Sequence, residues 1–147
     1  MKQIKYDLVL IGATGFTGKL VAEYIAKEYG VKNEDFVWAI AGRNQNKLNH
    51  LKNHLMDIDS EAQDLPMLLA DNYDKNSLDS ITSVTRVIIS TVGPYLKYGK
   101  KLVESCVSNG ADYCDLTGEV PFIRESIDSY NTIAQDNNCR IIHSCGF

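Results

Sequence analysis

Three glycines at three-residue spacing separate the first apolar segment of the chain from an amphipathic one. They belong to the stretch Gly12-Ala13-Thr14-Gly15-Phe16-Thr17-Gly18. A bound phosphate must approach backbone N–H groups at the N-terminus of a helix, where the helix dipole favours an anion. A Cβ atom at Gly12 or Gly15 would block the tight turn or that approach, and Gly18 lets helix and strand touch. The position of this loop predicts a dinucleotide site, although plain turns also use glycines; no Gly-Lys-Ser/Thr follows, which excludes a Walker A loop.

The end of the second apolar segment indicates which dinucleotide would bind. NAD sites place an acidic residue there to hold the ribose 2′-hydroxyl, whereas an arginine suits a 2′-phosphate. Here the segment ends in Ala41-Gly42-Arg43-Asn44, with no acid in reach. Arg43 can form bidentate bonds to a phosphate and lay its plane on adenine; a surface arginine at a helix start is the alternative. We therefore predict NADP(H) in preference to NAD(H).

Further candidates follow the next three apolar segments. Asp71 could meet the adenine edge or cap its own loop, and Gly93-Pro94 could lie against the nicotinamide or form a simple turn. The stretch Asp115–Glu119 carries two carboxylates and a hydroxyl, which either cap the next helix or face the substrate. No catalytic residue is assigned. The predicted cofactor-binding residues are Gly12, Ala13, Thr14, Gly15, Phe16, Thr17, Gly18, Arg43, Asn44, Asp71, Val92, Gly93 and Pro94.

Six short apolar segments alternate with helical patterns, which is typical of a parallel sheet with helical crossovers. The expected fold class is α/β, a doubly wound, six-stranded parallel sheet of the Rossmann type with strand order 3-2-1-4-5-6. Strands are predicted at 6–12, 36–42, 65–71, 86–93, 111–116 and 139–145. Helices are predicted from Phe16, after an Asn44 cap, around 76–83, from Tyr98 to a C-cap at Gly110, and over 121–137.

Composition restricts the classes of partner. The chain has 147 residues, 44% of them hydrophobic, and a net charge of −4, with no cluster of Lys and Arg beyond Lys100–Lys101. These features argue against nucleic acid. No apolar run reaches the roughly 18 residues of a membrane span, and no signal peptide pattern precedes the first strand, so the expected location is the cytoplasm. A homo-oligomer is compatible with the sequence, which leaves the oligomeric state open.

Two other groups of residues could in principle do chemistry. His50 and His54 have a metal-binding i, i+4 spacing, but Leu51 stands where a zinc protease has Glu, and both should face solvent opposite the leucines of their helix. We expect no metal. The four cysteines form no C-x-x-C pair, and free thiols are expected. Cys145 is expected to be a buried structural thiol.

Five motifs together resemble the NADP-binding domain of the saccharopine dehydrogenase-like oxidoreductases. They are GATGFTG, WAIAGRN, TVGPYLKYGKKLVESC, GADYCDLTGE and the terminal CGF, and they extend over essentially the whole chain. The resemblance implies an NAD(P)-dependent oxidoreductase, with residues 1–147 as its Rossmann domain and a further substrate-binding domain in the full-length protein. It also implies cofactor contacts from Gly12–Gly18, Arg43 and Val92–Pro94, and a small-molecule substrate that is unknown.

Two alternatives remain beside the hydride-transfer enzyme. The first is a non-catalytic NADP sensor of the NmrA-like kind, which would need no catalytic Tyr-x-x-x-Lys pair, and none is present. The second is a thiol-dependent semialdehyde or acyl-phosphate reductase with Cys145 as its nucleophile. Reductases of that class have Gly before the cysteine, whereas here the order is Cys145-Gly146.

Overall fold

A computed structural model describes residues 1–146, so Phe147 of the terminal CGF motif lies outside the described residues. The strands are β1 (Tyr6–Ile11), β2 (Trp38–Gly42), β3 (Met67–Leu69), β4 (Thr85–Ser90), β5 (Asp112–Asp115) and β6 (Ile141–Ile142). The helices are α1 (Phe16–Tyr29), α2 (Gln45–Leu55), α3 (Lys75–Thr82), α4 (Tyr95–Tyr98), α5 (Lys100–Asn109) and α6 (Val120–Asp136), with a 3₁₀ turn at Ser60–Asp64.

The strands form one parallel sheet in the order β3-β2-β1-β4-β5-β6, which confirms the predicted fold class and topology. β1 pairs with β2 on one side, where Ile11 lies opposite Ala41, and with β4 on the other, where Ile11 lies opposite Ser90. The first half of the chain therefore adds its strands on one side of β1 and the second half adds them on the other side. The carboxyl ends of β1, β2 and β4 meet at one edge of the sheet, where doubly wound folds bind ligands.

The two faces of the sheet carry separate apolar clusters. Val9 and Ile11 point to the face covered by α3, α5 and α6, whereas Leu8 and Leu10 point to the face covered by α1 and α2. Successive strand side chains alternate between faces, and both faces of a central parallel strand are buried. For this reason the sequences of β1 and β2 are continuous apolar runs and do not alternate between apolar and polar residues.

Several element boundaries differ from the predicted ones. The edge strands β3 and β6 are shorter than predicted, and β4 ends at Ser90 rather than at 93. The helix predicted from Tyr98 begins at Tyr95 and divides at Gly99, where an added Cβ would lie 2.7 Å from the Phe122 ring. The predicted caps are present: Asn44 Oδ1 accepts from Lys47 N at 3.0 Å, and Gly110 ends α5 with φ +65°.

No helix within residues 1–146 is long and apolar enough to cross a bilayer.

Candidate cofactor-binding cleft

A cleft of about 420 Å³ opens at the carboxyl edge of the sheet, above the end of β1. It is lined by the loops that follow β1, β2, β3 and β4. Eight of the predicted site residues line it: Gly12, Thr14, Gly15, Arg43, Asp71, Val92, Gly93 and Pro94. The remaining lining residues are Ile11, Gly42, Ala70, Asn72, Tyr73, Thr91 and Tyr98. The topology thus brings together residues from four separate segments of the sequence.

Two glycines of the loop are required by contacts within the protein. Gly12 has φ +85°, and a Cβ there would lie 2.7 Å from Val92 Cγ2 and 2.8 Å from Thr91 Oγ1. A Cβ on Gly18 would overlap the carbonyl oxygen of Gly12. The first glycine therefore permits the tight turn and the third permits close contact between α1 and β1, as the sequence predicted.

Gly15 has no such requirement. Its backbone is extended, with φ −76°, and the atom nearest to an added Cβ is Gly12 O at 3.5 Å. No side chain caps α1 and no acid lies in its first turn. Within residues 1–146, the amide nitrogens of Phe16 and Thr17 donate to no protein atom. Bare backbone and unpaired N–H groups at a helix N-terminus suit a phosphate, so this loop fits a dinucleotide.

The other predicted loop residues do not line the cleft. Ala13 is fully buried in the core, whereas Phe16 is 85% exposed on the first turn of α1. Thr17 is exposed as well, and the Asn44 side chain is occupied in capping α2. A direct contact of these side chains with a cofactor remains a prediction.

The end of the cleft beside Arg43 contains two tyrosines that sequence reasoning missed. Tyr73 and Tyr98 pack edge to face with ring centroids 5.4 Å apart. Hydrogen bonds with Lys97 and Tyr73 lower the pKa of the Tyr98 phenol. Tyr73 lies two residues after Asp71, a predicted site residue, and this closeness in sequence could have identified it. Tyr98 could not be identified in this way, because the break in the helix at Gly99 is not visible in the sequence and the pattern places Tyr98 in a buried helical stripe.

Asp71 lines the cleft and also caps its own loop. Its Oδ1 accepts a hydrogen bond from Tyr73 N at 2.9 Å. The next residue, Asn72, is buried and donates from Nδ2 to Tyr98 O at 3.0 Å. The loop after β3 is therefore tied both to itself and to the end of α4, which gives this wall of the cleft a defined position.

The opposite end of the cleft is formed by the turn Val92–Pro94, in which the Gly93–Pro94 peptide is cis. Glu119 holds the helix that follows, because its two carboxylate oxygens accept from Tyr95 N at 2.6 Å and Leu96 N at 2.9 Å. The sequence offered two roles for Glu119, capping the next helix or facing the substrate. Glu119 is the residue before α6, but its carboxylate caps the preceding helix α4 and does not bond to α6.

Asp115 is the centre of a buried hydrogen-bond network. Oδ1 accepts from Thr117 N at 3.0 Å and Ser144 N at 3.1 Å, while Oδ2 accepts from Tyr113 Oη at 2.7 Å and lies 2.8 Å from His143 Nδ1. Burial by itself would raise the pKa of Asp115, but the hydrogen bonds from His143 and Tyr113 outweigh it and lower the pKa. Asp115 is thus a buried carboxylate that ties β5 to the segment after β6.

The prediction of a buried Cys145 is wrong. Cys145 is exposed and its thiol lies 3.5 Å from Ile142 O, because the chain leaves the sheet after a strand of only two residues. Cys106 and Cys139 are buried as small apolar groups. Burial raises the pKa of the partly buried Cys114 thiol to about 12.

Both histidines have solvent-accessible side chains, as predicted, and the His54 side chain is 41% exposed. His50 forms part of the exposed face of α2, and His54 Nε2 lies 2.7 Å from Glu23 Oε1 on α1, a contact that the sequence pattern does not show. Among residues 1–146, no three His, Cys, Asp or Glu side chains are grouped to hold a metal.

Replacement of Glu119 by alanine should lower the free energy of unfolding by about 2 kcal/mol, since two charge-assisted hydrogen bonds to the start of α4 are lost. Glu119→Gln should lose less, because its amide oxygen can still accept one of them. Urea denaturation of both variants measures the difference. Glu125→Ala, which removes a surface ion pair with Lys100, is the control and should change little. Equal effects of Glu119→Ala and Glu125→Ala would contradict the assigned role.

The sheet order, the glycine loop and the cleft define a dinucleotide-binding domain of the Rossmann type. Comparison with known proteins identifies the family: the saccharopine dehydrogenase NADP-binding domain matches residues 8–142, and the chain belongs to this family. The resemblance seen in the motifs is thereby confirmed.

Similar proteins agree with this assignment. A trans-acting enoyl reductase from Mycobacterium tuberculosis is 42% identical over 143 residues, which cover 97% of this chain and 32% of that protein. Saccharopine dehydrogenase (L-Glu forming) from Saccharomyces cerevisiae has a TM-score of 0.71 at 19% identity, over 96% of this chain and 27% of that one. Triphenylmethane reductase from Citrobacter sp., in complex with NADP(H), has a TM-score of 0.65 at 15% identity, over 92% and 48% of the two chains. At these identities the two structures show the fold alone.

Proposed function

We propose that this domain binds NADP(H) in preference to NAD(H) and positions the nicotinamide for hydride transfer in an oxidoreductase. The observation that carries the proposal is the cleft itself. Gly15 leaves room for a phosphate at the N-terminus of α1, and Arg43 stands where an NAD site would place an acid. Eight residues chosen from sequence for this role line one continuous cavity.

The residues of the chain have separate tasks in this proposal. The amides at the start of α1 hold the pyrophosphate, Arg43 pairs with the 2′-phosphate, and the turn Val92–Pro94 flanks the nicotinamide. The bound nicotinamide supplies or accepts the hydride. The protein contributes position and electrostatics. Glu119 fixes the helix that follows the turn, and Asn72 fixes the wall of the cleft beside Arg43.

The substrate class is proposed from the relatives. The chain spans 32% of the M. tuberculosis protein named trans-acting enoyl reductase. We propose reduction of an enoyl group as the reaction of the whole protein, with the substrate held between the carboxyl edge of this sheet and polypeptide corresponding to the rest of the relatives' length. An NADP sensor of the NmrA-like kind would use the same cleft and would bind NADPH without turnover.

Arg43→Ala tests the cofactor preference. Loss of a bidentate, charge-assisted contact should weaken NADPH binding by at least about tenfold, whereas NADH, which lacks the 2′-phosphate, should bind almost as before. Isothermal titration calorimetry with each cofactor measures both constants. Arg124→Ala, on the exposed face of α6, is the control. Similar losses for NADPH and NADH with Arg43→Ala would reject the preference.

A thiol-dependent reductase is the second candidate, and the exposure of Cys145 favours it. Cys145 does not line the cleft, which is why hydride transfer to an enoyl substrate is preferred. A Cys145 that reacts with iodoacetamide no faster than an ordinary exposed thiol would remove this candidate. Loss of NADPH oxidation in a Cys145→Ser variant of a full-length protein would instead support it.

A further inference from the structure

The sheet face that α1 and α2 cover becomes more exposed towards the β6 edge, and Cys114 lies on it. Ile89, Cys114 and Ile142 are in register across β4, β5 and β6, so their side chains point to the same face. Leu10, opposite Ile89 on β1, is fully buried, whereas Ile142 is 52% exposed. Cys114, between Ile89 and Ile142, is half-buried and remains accessible to solvent in part.

Cys145 lies beside Cys114 because the segment after β6 is hydrogen-bonded to the end of β5. The Cys145 backbone N donates to Asp115 O at 2.8 Å, and Ser144 N donates to Asp115 Oδ1 at 3.1 Å. The Cys145 thiol lies 3.5 Å from Ile142 O, and Ile142 is the register partner of Cys114. Two thiols from separate segments of the chain are therefore neighbours.

The two thiols differ in how readily a reagent in solution reaches them. Burial, and after it the neighbouring Cys145 thiol, raises the pKa of the Cys114 thiol to about 12. Cys114 therefore stays protonated in the reduced protein, and an external reagent meets the exposed Cys145 first. This difference suits a pair in which Cys145 attacks the reagent and Cys114 resolves the product.

The other two cysteines provide a comparison within the same chain. Cys106 and Cys139 belong to the apolar cluster on the opposite face of the sheet, at 0% and 7% exposure. A polar oxidant in solution does not reach thiols that are packed in this way, because access limits thiol–disulfide exchange. They should therefore stay reduced under conditions that oxidise an exposed pair.

We propose that Cys114 and Cys145 form a thiol–disulfide exchange site, at which a low-molecular-weight disulfide converts the pair to an intramolecular Cys114–Cys145 disulfide. The Cys145 thiolate attacks one sulfur of the external disulfide, whose S–S bond breaks to release one thiol. The Cys114 thiolate then attacks Cys145 Sγ in the mixed disulfide and releases the second thiol. The protein thiols lose two electrons and two protons, and the external disulfide gains them to become two thiols.

The new bond would join β5 to the segment after β6 and would close a loop that contains α6. Such a bond restricts the unfolded chain, so the melting temperature of the oxidised form should rise by about 5 °C or more. Cys114 and Cys145 lie apart from the cofactor cleft, which is lined by the loops after the first four strands and by Tyr98. The inference goes beyond the proposed function and does not rest on it.

The test treats the reduced, folded chain with oxidised glutathione, quenches the exchange with acid and alkylates the remaining thiols after denaturation. Of the four cysteines, Cys106 and Cys139 should be alkylated, and Cys114 and Cys145 should be found in one disulfide-linked peptide. Cys114→Ala should keep glutathione on Cys145, because the resolving thiol is missing, and Cys145→Ser should take up none. Cys139→Ala, which removes a buried thiol, is the matched control and should form the same disulfide as the parent chain.

The peptide map of the parent chain decides the proposal even where a variant does not fold. A Cys114–Cys145 link in the monomer, together with a raised melting temperature, supports it. Three results in the parent chain overturn it: four free thiols after exposure to oxidised glutathione, a glutathione adduct that persists on Cys145, or disulfides only between separate chains.

Discussion

A valine in place of Gly15 is expected to abolish NADPH binding while the domain stays folded. The extended backbone of Gly15 is accessible to any residue, and an added Cβ has Gly12 O, at 3.5 Å, as its nearest neighbour. The Cβ of a side chain at this position therefore meets no protein atom closer than ordinary van der Waals contact, and we expect the side chain to compete with a phosphate for the space beside the α1 amides. Calorimetry with NADPH measures the binding, and thermal denaturation measures the fold.

Gly18→Val is the matched control for this variant. Its Cβ would overlap the carbonyl oxygen of Gly12, so α1 would have to move away from the sheet and stability should fall sharply. The two substitutions therefore separate a glycine needed for a ligand from one needed for packing. Normal NADPH affinity in Gly15→Val would show that the phosphate does not approach the backbone at this loop.

Replacement of Asp115 by asparagine should lower the free energy of unfolding by about 3 kcal/mol, because one partner of a buried charged network is removed while the others stay buried. His143, Tyr113 and two backbone amides all bond to this carboxylate. Urea denaturation at pH 7 measures the loss. Asp128→Asn, at an exposed ion pair on α6, should change stability little. An equally mild effect at Asp115 would contradict the structural role of its network.

The same network predicts a direction for the pH dependence. The folded-state pKa of Asp115 is lowered below that of an unfolded aspartate, which is about 3.9. The charged carboxylate therefore contributes stability that is fully present above about pH 4 and is lost as the pH falls through the folded-state pKa. The difference in unfolding free energy between the parent chain and Asp115→Asn should shrink as the pH falls below about 4. A difference that grows on acidification would contradict this assignment.

Features governed by short stretches of chain could be predicted from the sequence. The apolar run at β1 predicts a strand buried on both faces, and Asn44 and Gly110 predict helix ends, because backbone propensity and capping involve residues a few positions apart. The glycine loop and Arg43 were identified as site residues for the same reason: each follows a strand directly. The parallel sheet followed from the alternation of strands and helices, whereas the strand order was taken from the Rossmann class and did not follow from the pattern itself.

Contacts between distant segments were decided only by the tertiary structure. Glu119 caps a helix that begins 24 residues earlier, and Asp115 meets His143 28 residues later. The exposure of Cys145 and the position of Tyr98 beside Tyr73 also depend on how separate helices and loops pack. The sequence by itself determined which local elements form and which strand ends carry the chemistry. The meeting of side chains across those elements depends on three-dimensional packing, which no local pattern encodes.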